Sequence, residues 1–192
     1  MIIPGEKVLL RPIRPEDYPT LVAWSADPEV VAFIEGDYPR TVEACPAWYE
    51  DGRVNRYSRR FAIVTRGDGE RLIGDIELDH IAWRSGDAEL RIRIGEKTYW
   101  DQGYGTDAVR ALVRHAFQSM NLSRIYLRVD AENKRALRCY EKCGFRKEGR
   151  LRREGGPGRA PAVVFLMRLL KKEFLAQEAG DGQRGEEPAR TA

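Results

Sequence analysis

Residues 92–117, IRIGEKTYWDQGYGTDAVRALVRHAF, decide the fold of this chain. An alternating apolar run ends at Gly95, a loop follows, and beyond Gly105 apolar residues recur at helical spacing. The loop and helix start contain GYGTDA at residues 103–108, which fits the glycine fingerprint of a dinucleotide-binding turn. Glycines at such a turn let backbone N–H groups approach phosphate oxygens, and the positive helix end attracts them. The stretch therefore predicts a pyrophosphate site between a strand and a helix.

The spacing around the loop argues against a nicotinamide cofactor. In a dinucleotide-binding turn the first glycine follows its strand at once, whereas here residues 96–102 separate Gly95 from Gly103. The unit also lies in the middle of the chain, with no second mononucleotide half behind it. Asp130 nevertheless ends the following strand, where a ribose-binding acid would lie. A dinucleotide-binding oxidoreductase therefore stays open as an alternative.

The flanking sequence predicts a mixed order of strands and helices. A strand at residues 8–13 and short helical pieces up to residue 49 precede an antiparallel meander. The further predicted elements are the meander strands 61–64, 71–83 and 88–95, a strand at 124–130, a helix at 133–143 and two strands at 144–154 and 162–170. This order is typical of an α+β domain with a mixed, mostly antiparallel central sheet, helices on both faces and a central strand-helix-strand unit.

The meander carries charges at alternate positions. Asp75, Glu77 and Asp79 share one face of the second strand, and Glu89, Arg91 and Arg93 share one face of the third. The other face is left for apolar side chains, which are Ile76, Leu78, Leu90, Ile92 and Ile94. We therefore expect an exposed face with cross-strand ion pairs and an opposite face in the core.

Composition bounds the class of protein and its partners. The chain has 192 residues, charged residues make up 33%, and the net charge of +3 is small, so we expect no nucleic-acid partner. Its three cysteines lack metal-ligand spacing, which predicts no metal site and a reducing, cytoplasmic location. No signal peptide or membrane span is predicted. We expect one domain over residues 1–175 and a disordered tail at 176–192, because the tail holds no apolar residue larger than alanine.

A second stretch, RIYLRVDAENKRALRCYEKCGFRKEG at residues 124–149, makes a family resemblance clear. With the glycine loop, it is similar to the acetyl-CoA site of the GNAT superfamily of N-acetyltransferases, in the branch of ribosomal-protein N-terminal and spermidine acetyltransferases. The resemblance covers most of residues 8–170. The chain departs from the family's usual loop at Trp100, where Arg or Gln is usual, and at Asp101, where Gly is common. The resemblance implies the acyl-CoA N-acyltransferase fold and acetyl-CoA as co-substrate. A homodimer is a further expectation for the assembly, which the sequence leaves open.

The resemblance also implies which residues hold the coenzyme. They are Ile92, Arg93, Ile94, Gln102, Gly103, Tyr104, Gly105, Thr106, Asn133, Ala136 and Tyr140. Asn133, Ala136 and Tyr140 fall on one face of a helix, which the family turns toward the pantetheine arm. A core face with Asn133 as the helix cap is the alternative explanation of that spacing.

Acetyl transfer to an amine needs a proton for the departing thiolate, and the Tyr140 phenol can donate one. Glu89, Glu77 and Asp75 are candidates for the general base, and we favour Glu89, although ion pairing with Arg91 or Arg93 explains each carboxylate equally well. A covalent route through Cys139 is disfavoured because its helical position points away from Tyr140. An acyl-CoA sensor without turnover is a further alternative.

The acceptor is open on sequence alone. An acidic entrance would recruit a cationic amine, and acidic residues crowd the early helices, although a solvated surface explains them equally. They are Glu16, Asp17, Asp27, Glu29, Glu35 and Asp37. A protein N-terminus, a polyamine and an aminoglycoside are the candidates, and the resemblance leans toward a protein N-terminus.

Overall fold

The computed structural model describes residues 1–34 and 36–184. Within them, eight strands form one sheet. The strands are β1 (Ile3–Pro4), β2 (Val8–Arg11), β3 (Arg59–Thr65), β4 (Leu72–Ala82), β5 (Asp87–Ile94), β6 (Arg124–Asp130), β7 (Arg146–Arg153) and β8 (Ala162–Leu170). The helices are α1 (Tyr18–Ser25), α2 (Pro28–Val31), α3 (Cys45–Val54), α4 (Tyr104–Gln118), α5 (Lys134–Lys142) and α6 (Lys171–Arg184).

The sheet is mixed and mostly antiparallel, as the sequence predicted. Its strand order is β1-β2-β3-β4-β5-β6-β8-β7. The β5–β6 pair is parallel, and the other pairings in the described part of the chain are antiparallel. Helix α4 connects the two parallel strands, so the predicted strand-helix-strand unit lies at the centre of the sheet.

Two hydrophobic clusters lie on opposite faces of this sheet. One contains the apolar faces of α4 and α5 together with β3 residues Phe61 and Ile63. The other contains α1 residues Leu21 and Trp24 together with Ala62, which lies between those two β3 residues. Because successive strand residues point to opposite faces, helices cover the sheet on both sides. This confirms the predicted layer arrangement.

The charged face of the meander is buried, which corrects the expectation of an exposed face. Asp75, Glu77, Glu89 and Arg93 are each less than 5% exposed. The predicted cross-strand pairing is confirmed, since Asp75 is registered opposite Arg93 and accepts a hydrogen bond from its Nε at 2.7 Å. The α1 side of the sheet covers this face, and the Arg93 guanidinium also donates to Ser25 Oγ at 3.0 Å. Pairing satisfies charges that burial alone would make very costly.

The C-terminal segment also differs from its prediction. Helix α6 runs through the expected domain boundary at residue 175, and its Phe174 is buried against Phe117 of α4 with ring centroids 5.5 Å apart. One aromatic anchor therefore docks a helix whose composition is mostly polar. Residues 185–192 of the predicted disordered tail lie outside the described residues. Each helix in the described ranges is too short or too polar to cross a membrane.

Candidate active site

The parallel strands β5 and β6 separate halfway along their length. Their register runs from Asp87 opposite Arg124 to Glu89 opposite Tyr126, but β5 continues to Ile94 without a partner on this side. Gly95 N–H donates to the Ile73 carbonyl on β4, so by strand alternation the amides of Ile92 and Ile94 point into the gap. The gap therefore exposes backbone hydrogen-bonding groups to any extended ligand placed between the strands.

A cavity of about 460 Å³ occupies this gap and the surface above it, a size typical of small-molecule sites. Nine of the predicted coenzyme residues line it: Ile92, Arg93, Ile94, Gly103, Gly105, Thr106, Asn133, Ala136 and Tyr140. Gln102 and Tyr104 do not. The Gln102 amide donates back to the Thr98 carbonyl, and the Tyr104 ring packs edge-on against Tyr99. The structure thus unites two segments that the sequence placed about 30 residues apart.

The first turn of α4 forms the cavity wall beside the glycines. Gly103 adopts a left-handed φ of 85° and caps the helix, and the N–H groups of Gly105 and Thr106 in the first turn have no helical acceptor. A Cβ on Gly105 would lie 3.6 Å from Ile94 Cγ1 and 4.0 Å from the sulfur of Cys139, between two side chains that also line the cavity. These features fit the pyrophosphate and pantetheine arm of a coenzyme A molecule.

The segment that joins β1 to β2 clamps this turn from behind. The Asp107 carboxylate accepts hydrogen bonds from the backbone N–H groups of Glu6, Lys7 and Val8 at 2.8–3.0 Å. The Lys7 ammonium donates to the Gln102 carbonyl at 2.7 Å. Sequence reasoning missed this role of Asp107, because its partners lie about 100 residues away. The clamp fixes the loop without consuming the N–H groups that face the cavity.

Helix α5 supplies the opposite wall. Asn133 is its N-cap and accepts from the Ala136 N–H at 3.2 Å, as the alternative explanation expected; it also lines the cavity, and its contact with the pantetheine arm stays a prediction. Tyr140 is 6% exposed and packs against Phe145. Burial raises the pKa of the Tyr140 phenol above its usual range, which keeps it protonated at neutral pH. Gly144, with a φ of 92°, follows the helix end as predicted.

Glu89 does not line the cavity. Its carboxylate accepts hydrogen bonds from Arg128 at 2.9 and 3.2 Å and from Arg91 at 3.1 Å. The ion-pair interpretation therefore has contacts in its favour, and the base assignment stays a prediction. Glu77, the second candidate, is paired with Arg60 and Arg91, while burial raises the pKa of its carboxyl group. It too lies behind the cavity wall.

Cys139 departs from its prediction in one respect, because it lines the cavity beside Tyr140. Its sulfur accepts a hydrogen bond from the Thr106 hydroxyl at 3.5 Å. Hydrogen bonds from Cys143 and Thr106 lower the pKa of the Cys139 thiol. The sulfur thus lies beside the first turn of α4, in the cavity wall.

The predicted acidic entrance is mostly absent from the cavity. Asp17 is buried in a bidentate pair with Arg11 at 2.7 and 2.8 Å, and Asp27 caps α2 and pairs with Lys97. Of the five predicted acids within the described residues, Glu29 lines the cavity and the other four do not; Glu35 lies outside the described residues. The entrance is instead formed by α2 and the segment after it, through Glu29, Val30, Phe33, Ile34 and Tyr38.

Sequence reasoning missed a basic group at the other end of the cavity. Arg135, Arg138 and Lys142 of α5 line it there, opposite Trp100 and Asp101. Their three- and four-residue spacing places them on one helix face, so the pattern was visible in the sequence. The opposing loop was visible only in three dimensions.

A gap between parallel strands beside a glycine-bordered helix start suits a long, extended thiol coenzyme, which makes an acyltransferase the class of protein this fold and site define. A family model described as the acetyltransferase (GNAT) domain matches residues 7–146. The chain belongs to that family and is an acetyl-CoA-dependent N-acetyltransferase. The dinucleotide-binding alternative and the sensor without turnover are set aside by this assignment.

The chain is similar to spermidine acetyltransferases in particular. It is 29% identical over 180 residues to the spermidine N(1)-acetyltransferase of Escherichia coli K12, covering 93% of this chain and 94% of that protein. It is 35% identical over 117 residues to the Vibrio cholerae enzyme of the same name, covering 61% and 66%. A solved structure of the Vibrio cholerae spermidine N-acetyltransferase with CoA and spermine matches with a TM-score of 0.79 at 24% identity, covering 89% and 99%, which confirms the fold.

Proposed function

We propose that this enzyme transfers an acetyl group from acetyl-CoA directly to a primary amine of a polyamine. The observation that carries the proposal is the near full-length similarity to a spermidine N(1)-acetyltransferase. A polyamine acceptor replaces the protein N-terminus that we expected from family resemblance alone. We also propose a cytoplasmic location, in keeping with three free cysteines. A homodimer stays a prediction.

In this proposal two walls hold acetyl-CoA. The amides of Ile92 and Ile94 pair with the pantetheine arm as a neighbouring strand would, and the first turn of α4 receives the pyrophosphate. The coenzyme supplies an activated acetyl thioester when bound. Because the Ile92 and Ile94 N–H groups face the gap, the one that the arm leaves free is a donor for the carbonyl oxygen as it gains negative charge.

Tyr140 is the proposed proton donor to the thiolate. Attack by a neutral amine forms the C–N bond and the C–S bond breaks. The departing sulfur takes the phenol proton, the new amide nitrogen releases a proton to solvent water, and the phenol regains one from solvent. The Tyr140 phenol is protonated and buried in the cavity wall. The same burial disfavours a bare thiolate at this place, so a donor beside the sulfur lowers the barrier.

The acceptor is proposed to enter beneath α2. Glu29, whose carboxylate lies 3.3 Å from the exposed Lys97 ammonium, offers a negative charge at this entrance, and the Phe33 and Tyr38 side chains border the path inward. Acid and aromatic groups together suit a flexible aliphatic chain with ammonium groups. The nearby Arg91 and Arg93 do not oppose a cation strongly, because Glu77, Asp79 and Glu89 pair with the first and Asp75 with the second.

The test is acceptor-dependent thiol release from acetyl-CoA, with spermidine, spermine, an aminoglycoside and peptides that have free Ala, Ser or Met N-termini. We expect release with the two polyamines and an acetylated polyamine by mass spectrometry. Glu29→Gln should raise the KM for spermidine about two- to fivefold, as expected for one exposed charge pair. Glu16→Gln is the matched control, since Glu16 is exposed and outside the cavity. Turnover with the peptides but not the polyamines would contradict the proposal.

A further inference from the structure

The outer end of the coenzyme cavity carries two residues that depart from the family's usual loop, Trp100 and Asp101. The Trp100 indole donates to the Ile94 carbonyl at 2.8 Å, which fixes its ring at the end of β5. Asp101 has a left-handed φ of 57°, a conformation that glycine adopts most easily and aspartate tolerates. Its carboxylate is 59% exposed at the mouth.

Both residues contact α5 across the mouth. The Arg135 guanidinium lies 3.9 Å from the centroid of the Trp100 ring, and its Nε is 3.4 Å from the Asp101 carboxylate. Arg138 Nη2 lies 3.7 Å from the same carboxylate. All four side chains line the cavity. We call this group, Trp100, Asp101, Arg135 and Arg138, the mouth strap.

The direction of a bound coenzyme follows from the proposed function, on which this inference rests. If the thioester lies at Tyr140 and the pyrophosphate at the first turn of α4, the adenosine end extends outward to the mouth. Coenzyme A carries a phosphate on the ribose at that end. The cationic groups that line this end of the cavity are Arg135, Arg138 and Lys142, and the first two contact Asp101.

We propose that Arg135 and Arg138 form the subsite for the ribose phosphate of coenzyme A, and that this phosphate replaces the Asp101 carboxylate as their partner when the coenzyme binds. Asp101 then holds the two guanidinium groups in place in the free protein and is the group that the phosphate displaces. A phosphate carries more charge and more acceptor oxygens than a carboxylate, so the exchange favours the coenzyme. Dephospho-coenzyme A lacks this phosphate and therefore cannot displace Asp101 from the two arginines.

The exposure of the strap makes this exchange feasible. Arg135, Arg138 and Asp101 are 45–62% exposed, and ion pairs in water at such sites are weak. Breaking the Asp101 contacts therefore costs little compared with the charge-assisted hydrogen bonds that a phosphate gains. Trp100 keeps Arg135 at the mouth during the exchange, because its own anchor to Ile94 is not involved.

Direct binding of coenzyme A and dephospho-coenzyme A, by calorimetry, tests the inference without using activity. We expect wild type to bind coenzyme A about tenfold more tightly, the gain from about one charge-assisted bond. Arg138→Gln and Arg135→Gln should each reduce the ratio of the two dissociation constants, mainly by weakening the binding of coenzyme A. Asp101→Asn keeps the side-chain shape and suits the left-handed backbone. It should lower the dissociation constant of coenzyme A about two- to fivefold.

Arg114→Gln is the matched control, since Arg114 is 46% exposed and pairs with Glu178 on the α4–α6 side. It should change neither dissociation constant. A wild-type ratio below about two, or equal weakening of both ligands by Arg138→Gln, would overturn the inference while leaving the proposed function intact. Failure of wild type to bind either ligand would overturn the proposed coenzyme site and the inference together.

Discussion

Replacing Tyr140 by phenylalanine removes one oxygen atom from the cavity wall and little else. The ring is 6% exposed and packs against Phe145 with centroids 5.9 Å apart, contacts that phenylalanine keeps. We therefore expect the free energy of unfolding to change by at most about 1.5 kcal/mol, the net value of one hydroxyl hydrogen bond. Coenzyme A should bind within about twofold of wild type, because the rest of the cavity is unchanged.

The rate should fall far more than the stability. A positioned general acid contributes about 10²- to 10⁴-fold, so kcat with acetyl-CoA and spermidine should drop by that factor, about 3–5 kcal/mol. Thiol release at saturating acetyl-CoA measures it. Since burial raises the pKa of the Tyr140 phenol, the wild-type rate should show no loss from its deprotonation below the usual tyrosine pKa of about 10.

Tyr104→Phe is the control, because Tyr104 lies on α4 next to the glycine loop but does not line the cavity. Its kcat should stay close to that of wild type. If Tyr140→Phe retains a rate within about fivefold of wild type while coenzyme binding is intact, Tyr140 does not donate the proton. The departing thiolate would then take its proton from water or leave without one.

Three further substitutions test other parts of the structure. Gly105→Ala should weaken coenzyme A binding about tenfold in calorimetry, because its Cβ occupies the cavity wall, while leaving the unfolding midpoint unchanged or higher since alanine favours a helix. Asp75→Asn leaves the buried Arg93 guanidinium without its carboxylate and should lower the free energy of unfolding in urea by about 3–5 kcal/mol. Phe174→Ala should lower the free energy of unfolding in urea by about 3–5 kcal/mol, because it opens a cavity against Phe117. A decrease below about 1 kcal/mol would show that α6 does not stabilise the domain.

The parts of the site that could be predicted are those encoded locally. The strand, loop and helix of residues 92–117 and the capped helix that begins after Asn133 carry their signals within a few residues of each other. Their positions in the structure agree with the prediction because no distant contact has to override them. The gap between β5 and β6 has no such local signal, because its physical origin, strands that stop pairing after Glu89, is a tertiary feature.

Other parts depend on contacts that a single sequence does not reveal. The alternating charges of Asp75 and Glu77 look like a solvated strand face, and only the packing of α1 and α3 beside Arg60 and Arg93 buries them. The C-terminal helix looks like a polar tail because Phe174 is its buried apolar contact, and its other contacts to the domain include ion pairs such as Arg114–Glu178. In both cases the decisive contact partner lies far away along the chain.

The glycine fingerprint at residues 103–108 shows why a phosphate motif alone does not choose a cofactor. Glycines and a helix start bind any pyrophosphate, so the cofactor is decided by what the neighbouring strands leave open. A doubly wound sheet keeps its parallel strands paired and binds a dinucleotide across their ends. Here β5 leaves β6 after three paired positions, and the gap leads inward to Tyr140. A nicotinamide ring is too broad and flat to extend along such a narrow channel, whereas the thin pantetheine arm can bring its thioester to the Tyr140 phenol.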